Sequence, residues 1–346
     1  MARRYQSLSV SPETAVALPA ASLSRLVDFY LAECELRQHS AQTIEGRTGR
    51  LQRFVRWVEE TAEVPSVGEE EVRAFLAYLI NAHKEKGGRW NDAARHPSAS
   101  RAMGAGTYKT YFSTLRAFLN WCVEQGELTV SPLAGVPRPA TPQDQVQPFT
   151  EEQLQALEAA SKRTQNPERD HAIFCLLLDT GIREMELCDL TIGDFDSLSL
   201  QVTVRRGKGG KFRQIPIGPK TRRAINIYLK LRLRAGEKDP TEPLFVTEMG
   251  AREGECLRRL ALFRIVYRWG EAAGIQRARC SPHTFRNSFA IRFLQNGGHV
   301  FSLQRMLGHT SLSVTQRYVA LAEGDVARQH ALYSPLESLG RKGGRR

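Results

Sequence analysis

The sequence predicts a mainly α-helical chain of two domains: a helical bundle, then an α+β domain with a small antiparallel sheet. Three observations carry this. The chain has 346 residues, enough for two hydrophobic cores. Four amphipathic runs with no strand signal between them fill residues 22–130. A proline-rich stretch, 131–149, then separates them from a half in which helical periodicity is broken by a strand pair.

Residues 1–21 are polar and contain proline, so a flexible N-terminal arm is expected there. From Ser22 apolar residues recur at three-and-four spacing: Leu23, Leu26, Val27, Tyr30, Leu31 and Cys34. A second run holds Ile44, Leu51, Phe54, Val55 and Val58. A third holds Val72, Phe75, Leu76, Leu79 and Ile80, and a fourth Tyr108, Tyr111, Leu115, Phe118, Leu119 and Cys122. A polar, basic loop, 84–104, interrupts the bundle. In the 131–149 linker, prolines 132, 137, 139, 142 and 148 remove amide donors and hold the chain extended.

The second half spans 150–322. Thr150 with Gln153 reads as a capping box opening a helix. Residues 169–179 form a buried helix that Thr180-Gly181 ends, and 183–188 resume as a short helix. Leu200, Val202 and Val204 alternate with polar residues, which predicts a strand over 199–205. Gly207-Lys208-Gly209-Gly210 is a turn, and 212–217 the return strand, with Pro216 near an edge. Helices over 220–234 and 254–273, with a short strand at 244–246 between them, complete the α+β pattern. Residues 323–346 form a tail ending in the basic run RKGGRR.

Lys and Arg number 49 against 37 Asp and Glu, a net charge of +12 that favours a polyanionic partner, nucleic acid above all. The second and fourth helices carry basic faces, Arg47, Arg50 and Arg53, then Lys109 and Arg116, suited to track a phosphate backbone. Six scattered cysteines without a C-x-x-C pair read as reduced core thiols of a cytosolic protein. The basic start is followed by no long apolar run, so neither a signal peptide nor a membrane span is expected.

The chemistry-bearing residues concentrate between Ser281 and Tyr318. His283 and Arg286 are three apart and share a helix face. His309 follows Gly308, whose freedom bends the chain and turns the imidazole outward. A basic clamp, two imidazoles and a phenol suit attack on phosphate better than attack on a carbonyl. A pentacovalent phosphorus carries extra negative charge, which planar guanidinium forks match. The leaving oxygen needs a proton donor and the attacking group must lose its proton. Arg183, Lys208, His283, Arg286 and His309 supply these functions, with Tyr318 as nucleophile. The segments holding these cations have few of the carboxylates a metal nuclease needs, and no G-x-x-x-x-G-K-[ST] phosphate loop occurs.

Taken in order, Thr180 to Leu187 (TGIREMEL), Gly207-Lys208-Gly209, His283-Thr-Phe-Arg286, Leu307-Gly-His309 and Tyr318 resemble the motifs of the tyrosine recombinase, or phage integrase, family. The resemblance implies a SAM-like core-DNA-binding domain over 22–130 and a catalytic domain over 150–322, closing as a C-shaped clamp on double-stranded DNA with specific core sites. Arg183 and Arg286 would grip the scissile phosphate, and Lys208 would protonate the leaving 5′ oxygen; Lys211 lies close enough to be the alternative. His283 would act as general acid and base, His309 would bond a non-bridging oxygen, and Glu186 would orient Arg183 from behind. Tyr318 would attack to give a 3′-phosphotyrosine, with neither metal nor ATP as cofactor. The resemblance further implies a homotetramer on two sites and a cytoplasmic, nucleoid-associated enzyme that no membrane holds. Val326, Ala327, Leu332, Leu336 and Leu339 would dock in a neighbour or on their own domain. Asn287 departs from the pattern, since many relatives carry histidine there. The short stretch before the first helix suggests simple core-site recombination. A type IB topoisomerase-like relaxer and a DNA-binding regulator with an idle site are the competing readings.

Overall fold

The computed structural model describes residues 17–61, 64–81, 102–140, 147–205, 212–233, 239–247, 253–275, 280–309 and 311–322, with residues 330, 334 and 336. The chain divides into two compact units, Met1–Asp144 and Gln145–Arg346. Each has its own core, and the predicted fold class holds.

In the first unit, α1 (Ala20–Leu36) buries Leu23, Leu26, Val27, Tyr30 and Cys34, the stripe its spacing predicts. Ser40 opens α2 (Ala41–Glu60), its hydroxyl accepting from the Thr43 amide at 3.3 Å. Helix α3 (Glu69–Asn81) starts with three glutamates at the positive end of its dipole. Helix α4 (Ala105–Glu124) adds Phe112, Leu115, Phe118 and Leu119 to a core shared with Leu51, Phe54 and Phe75.

Two expectations change here. A strand pair, β1 (Leu18–Pro19) with β2 (Ser66–Val67), joins Leu18 to Val67. Leu18 is fully buried, so the arm expected over 1–21 ends earlier, because burying this leucine and Val67 fixes the backbone beside α1. Leu133, inside the stretch expected as linker, also packs into this core. The polar loop expected over 84–104 lies outside the described residues up to position 101.

In the second unit, α5 (Glu151–Ser161) has the predicted Thr150–Gln153 capping box. Helix α6 (Pro167–Thr180) is buried along much of its length. It ends at Gly181, in the left-handed region with φ +58, where a Cβ would stand 2.5 Å from the Phe289 ring. The short α7 (Glu184–Cys188) follows. A three-stranded meander then runs β3 (Phe195–Asp196), β4 (Gln201–Val204) and β5 (Arg213–Pro216), with Val202 opposite Ile215 and β5 at an edge. The turn expected at 207–210, with Lys208, and Lys211 after it lie outside the described residues. Helix α8 (Pro219–Arg232) is capped by Asp179, which accepts from the Gly218 amide and the Thr221 hydroxyl, both at 2.6 Å.

The strand expected at 244–246 does not form. Val246 makes an isolated bridge to Cys256, and Leu244 and Phe245 pair singly, the Leu244 amide with the Leu190 carbonyl at 2.7 Å and the Leu257 amide with the Phe245 carbonyl at 3.0 Å. Helix α9 (Arg259–Ala272) starts later than the expected 254, because Gly254 stands at φ +83 and Cys256 is held by its bridge. Helices α10 (Pro282–Gln295), α11 (Val300–Leu307) and α12 (Leu312–Ala322) close the unit over a small separate core: Phe289, Ala290, Ile291, Leu303, Leu307 and Tyr318. Among the described residues no helix is long and apolar enough to cross a membrane.

Candidate active site

Two helix C-termini build the site. A helix end leaves carbonyls without amide partners and carries partial negative charge, so it attracts cations. Helix α6 ends at Gly181 and α11 at Gly308, and guanidinium groups satisfy both ends. Arg286 on α10 donates through Nη1 to the Gly181 carbonyl and through Nη2 to the Leu307 carbonyl, each at 2.7 Å. Arg183, at the N-cap of α7, donates through Nη2 to the Gly308 carbonyl at 2.9 Å. Arg213 of β5 donates through Nε to the Met306 carbonyl at 2.9 Å.

Glu186 ties these together. Its carboxylate accepts from the Arg183 backbone amide at 3.0 Å and from Arg183 Nη1 at 2.8 Å. Arg213 grips the same carboxylate with both η nitrogens, at 2.9 and 2.6 Å. Burial alone would raise the Glu186 carboxyl, but Arg213 and then Arg183 outweigh it and hold it down to about 2. One carboxylate thus stands against three guanidinium groups, Arg183, Arg213 and Arg286. The excess is positive, and burial, then the like charge of Arg183, press Arg286 down to about 10. Arg286 is 4% exposed, while the Arg183 side chain is 27% exposed.

His309 is turned inward onto Arg286, correcting the expected outward orientation. Gly308 does bend the chain, at φ +64, but the bend tucks the ring under the guanidinium. Arg286 Nη2 meets His309 Nε2 at 2.9 Å, and an arginine can only donate, so Nε2 accepts. The ring proton is then on Nδ1, donated to Thr315 Oγ1 at 2.9 Å. Burial, then the charges of Arg286 and Arg183, push the imidazole down to about 4, which keeps it neutral near pH 7. His283 stands exposed in the first turn of α10, its imidazole lowered by desolvation on its protein side and by Arg317 and Arg286.

Tyr318, on α12, is 0% exposed. Its hydroxyl donates to Asn287 Oδ1 at 2.8 Å and accepts from Arg317 Nη2 at 3.2 Å, and its ring stacks on His309. Asn287, the departure from the family pattern, therefore contacts the phenol directly. Lys208 and its alternative Lys211 lie outside the described residues. So do Val326, Ala327, Leu332 and Leu339 of the tail, while Leu336 is exposed.

Arg213, Thr315 and Arg317 escape the sequence reading. Arg213 is 27 residues from Glu186, so no local spacing links them. Period-two alternation with buried Ile215 does place Arg213 on the inner face of β5. Thr315 shares a face of α12 with Tyr318 by three-residue spacing.

The basic face of the first unit is more occupied than its pattern suggests. Arg47 donates to Cys34 Sγ at 3.0 Å and lies over the Tyr30 ring. Arg50 bonds Thr114 of α4 at 3.0 Å and the Gly46 carbonyl at 2.6 Å. Arg53 reaches the Tyr78 hydroxyl at 3.4 Å. Lys109 is exposed and Arg116 half-buried. Among the described residues no three His, Cys, Asp or Glu side chains gather as a metal-binding set.

Gly308 fits only as glycine. Beyond its positive φ, a Cβ would come 2.9 Å from Arg213 Nη1. Gly308→Ala should destabilise the protein by about 1–2 kcal/mol in urea titration. It should also displace the Arg213 guanidinium that grips Glu186, and so disturb the geometry of the whole site.

Guanidinium groups gather at two helix ends beside a buried phenol, on a helical chain with a small sheet, and the chain belongs to the phage integrase family. Residues 147–324 match that family. It is a tyrosine recombinase, an enzyme of site-specific DNA recombination. It is 31% identical over 327 residues to the tyrosine recombinase XerD of Xanthomonas axonopodis pv. citri, covering 91% of this chain and 98% of the relative. Its fold is similar to XerH site-specific recombinase bound to a palindromic difH substrate, with TM-score 0.62, 18% identity and coverage of 92% and 85%. It is also similar to the Tn1549 transposon integrase in complex with circular intermediate DNA, with TM-score 0.63, 20% identity and coverage of 88% and 98%.

Proposed function

We propose that this site cuts and rejoins duplex DNA through a 3′-phosphotyrosine on Tyr318. The supporting observation is the surplus of guanidinium over carboxylate where the Gly181 and Gly308 turns meet, next to the Tyr318 phenol. Arg183 and Arg286 clamp the scissile phosphate and stabilise the charge that grows on its oxygens. His283 accepts the phenolic proton as the Tyr318 oxygen forms a bond to phosphorus and the bond to the 5′ oxygen breaks. Lys208 or Lys211 gives that oxygen its proton. The 5′ hydroxyl of a partner strand then reverses the attack. His309 starts as a neutral acceptor of Arg286, so it donates to a phosphate oxygen only after the entering anion raises its proton affinity.

The buried phenol must leave Asn287 before it attacks, so DNA binding has to open that contact. Lys109 and Arg116, with Arg47, Arg50 and Arg53 once released from their internal partners, line the backbone of a specific core site. Two sites are held by a tetramer, the tail after Tyr318 linking neighbours, and the enzyme works on chromosomal DNA in the cytoplasm.

The test is a supercoiled plasmid carrying two copies of the site on which the protein is covalently trapped. Paired-site recombination should yield two product circles. Relaxation of a plasmid with no such site, at equal rate and without circles, would favour the topoisomerase-like reading instead.

A further inference from the structure

Arg317 belongs to none of the motifs, yet it touches the attacking atom. Its Nη2 donates to the Tyr318 oxygen at 3.2 Å while its guanidinium carbon stands 5.1 Å from the ring centroid. Successive residues on a helix point about 100° apart, so the side chain folds back to make both contacts. Asn287 completes the grip by accepting the hydroxyl proton at 2.8 Å.

The two contacts respond in opposite ways to loss of that proton. The Asn287 Oδ1 contact needs the proton, and becomes oxygen against oxygen without it. The Arg317 contact joins a cation to a neutral oxygen at rest and to an anion after deprotonation, and a charge-assisted bond is roughly twice as strong. A contact that strengthens as the reaction proceeds accelerates it.

We propose that Arg317 is a further catalytic residue, which stabilises the Tyr318 oxygen as an anion while it attacks phosphorus. No atom passes through Arg317; the proton goes to His283 as above. This rests on Tyr318 being the nucleophile.

The charged and titratable groups around the phenol are Arg286 on α10, His309 after α11 and Arg317 on α12, with His283 on α10 close to Arg317 and Arg286. His309 is neutral above about pH 4 and His283 is held below its ordinary value, so neither changes charge on the alkaline side. A difference in pH profile between wild type and an Arg317 variant therefore reads the loss of the guanidinium beside the Tyr318 oxygen.

The experiment measures single-turnover adduct formation on a nicked duplex from pH 6 to 10, for full-length wild type, Arg317→Gln, Arg317→Lys and Tyr318→Phe. Arg317→Gln should cut the rate by about tenfold to a hundredfold. It should also move the midpoint of the pH profile up by about one unit, while Arg317→Lys keeps the midpoint near wild type. Weaker DNA binding by Arg317→Gln, with the saturated rate and midpoint unchanged, would make Arg317 a mere backbone contact and overturn the proposal. Unchanged binding and rate would overturn it equally. In either case wild-type adducts leave the nucleophile assignment standing. Adducts formed by Tyr318→Phe would instead remove that assignment, and this proposal with it.

Discussion

Arg286→Lys lowers the rate of strand cleavage by about 10²–10³-fold, the loss expected when one preorganised donor to a developing oxyanion is removed. The charge survives the substitution but the fork does not. Arg286 spans the Gly181 carbonyl, the Leu307 carbonyl and His309 Nε2 at once, and a single ammonium cannot meet all three from a buried position. A buried carbonyl left unbonded costs about 1–3 kcal/mol, so urea titration should show a loss of that size. DNA affinity should change little, because the interaction matters most once charge has accumulated on phosphorus. Single-turnover cleavage at saturating protein, beside a binding titration, separates the two. A variant that cleaves at the wild-type rate would mean that Arg286 holds two helix ends and nothing more.

Glu186→Gln should destabilise the second unit by about 3–5 kcal/mol, since it leaves partly buried cations without their counter-charge. Its pH signature is distinctive. The folded carboxyl is held at about 2, below an unfolded value near 4.3, so its stabilisation is complete above about pH 4.3 and disappears as pH falls through 2. The difference corresponds to roughly 3 kcal/mol. Wild type should therefore lose stability between about pH 4.3 and 2, and Glu186→Gln should lack that component. Chemical denaturation at intervals from pH 7 to 2 measures it. Equal acid sensitivity in both proteins would show that the Arg213–Glu186–Arg183 chain contributes no net stability.

What the sequence makes legible follows from range. Helices of the first unit are readable because Leu23, Leu26, Val27 and Tyr30, or Leu115, Phe118 and Leu119, report local periodicity. Residues that meet through motif order, such as Arg183, Arg286 and His309, are readable as a set although they come from α7, α10 and the turn after α11. Arg213 is not, because its partner Glu186 lies on α7, 27 residues earlier, and nothing local marks the pair. The inward turn of His309 is hidden for the same reason: Gly308 announces a bend, but only the packed position of Arg286 fixes its direction. The 244–246 strand fails because alternation cannot supply a neighbour to pair with, and only single bridges are available. Leu18 and Leu133 sit in stretches whose composition reads as loose, while one buried leucine suffices to pin each to a core.

The central claim is that Tyr318 supplies the oxygen that bonds to phosphorus. Incubating wild type and Tyr318→Phe with a nicked duplex bearing the core site, then denaturing in SDS and mapping the DNA-linked peptide, tests it directly. The account predicts that wild type yields an adduct on the peptide holding Tyr318, while Tyr318→Phe binds the duplex and yields none. An adduct from the phenylalanine variant, or a wild-type adduct on any other residue, would contradict it.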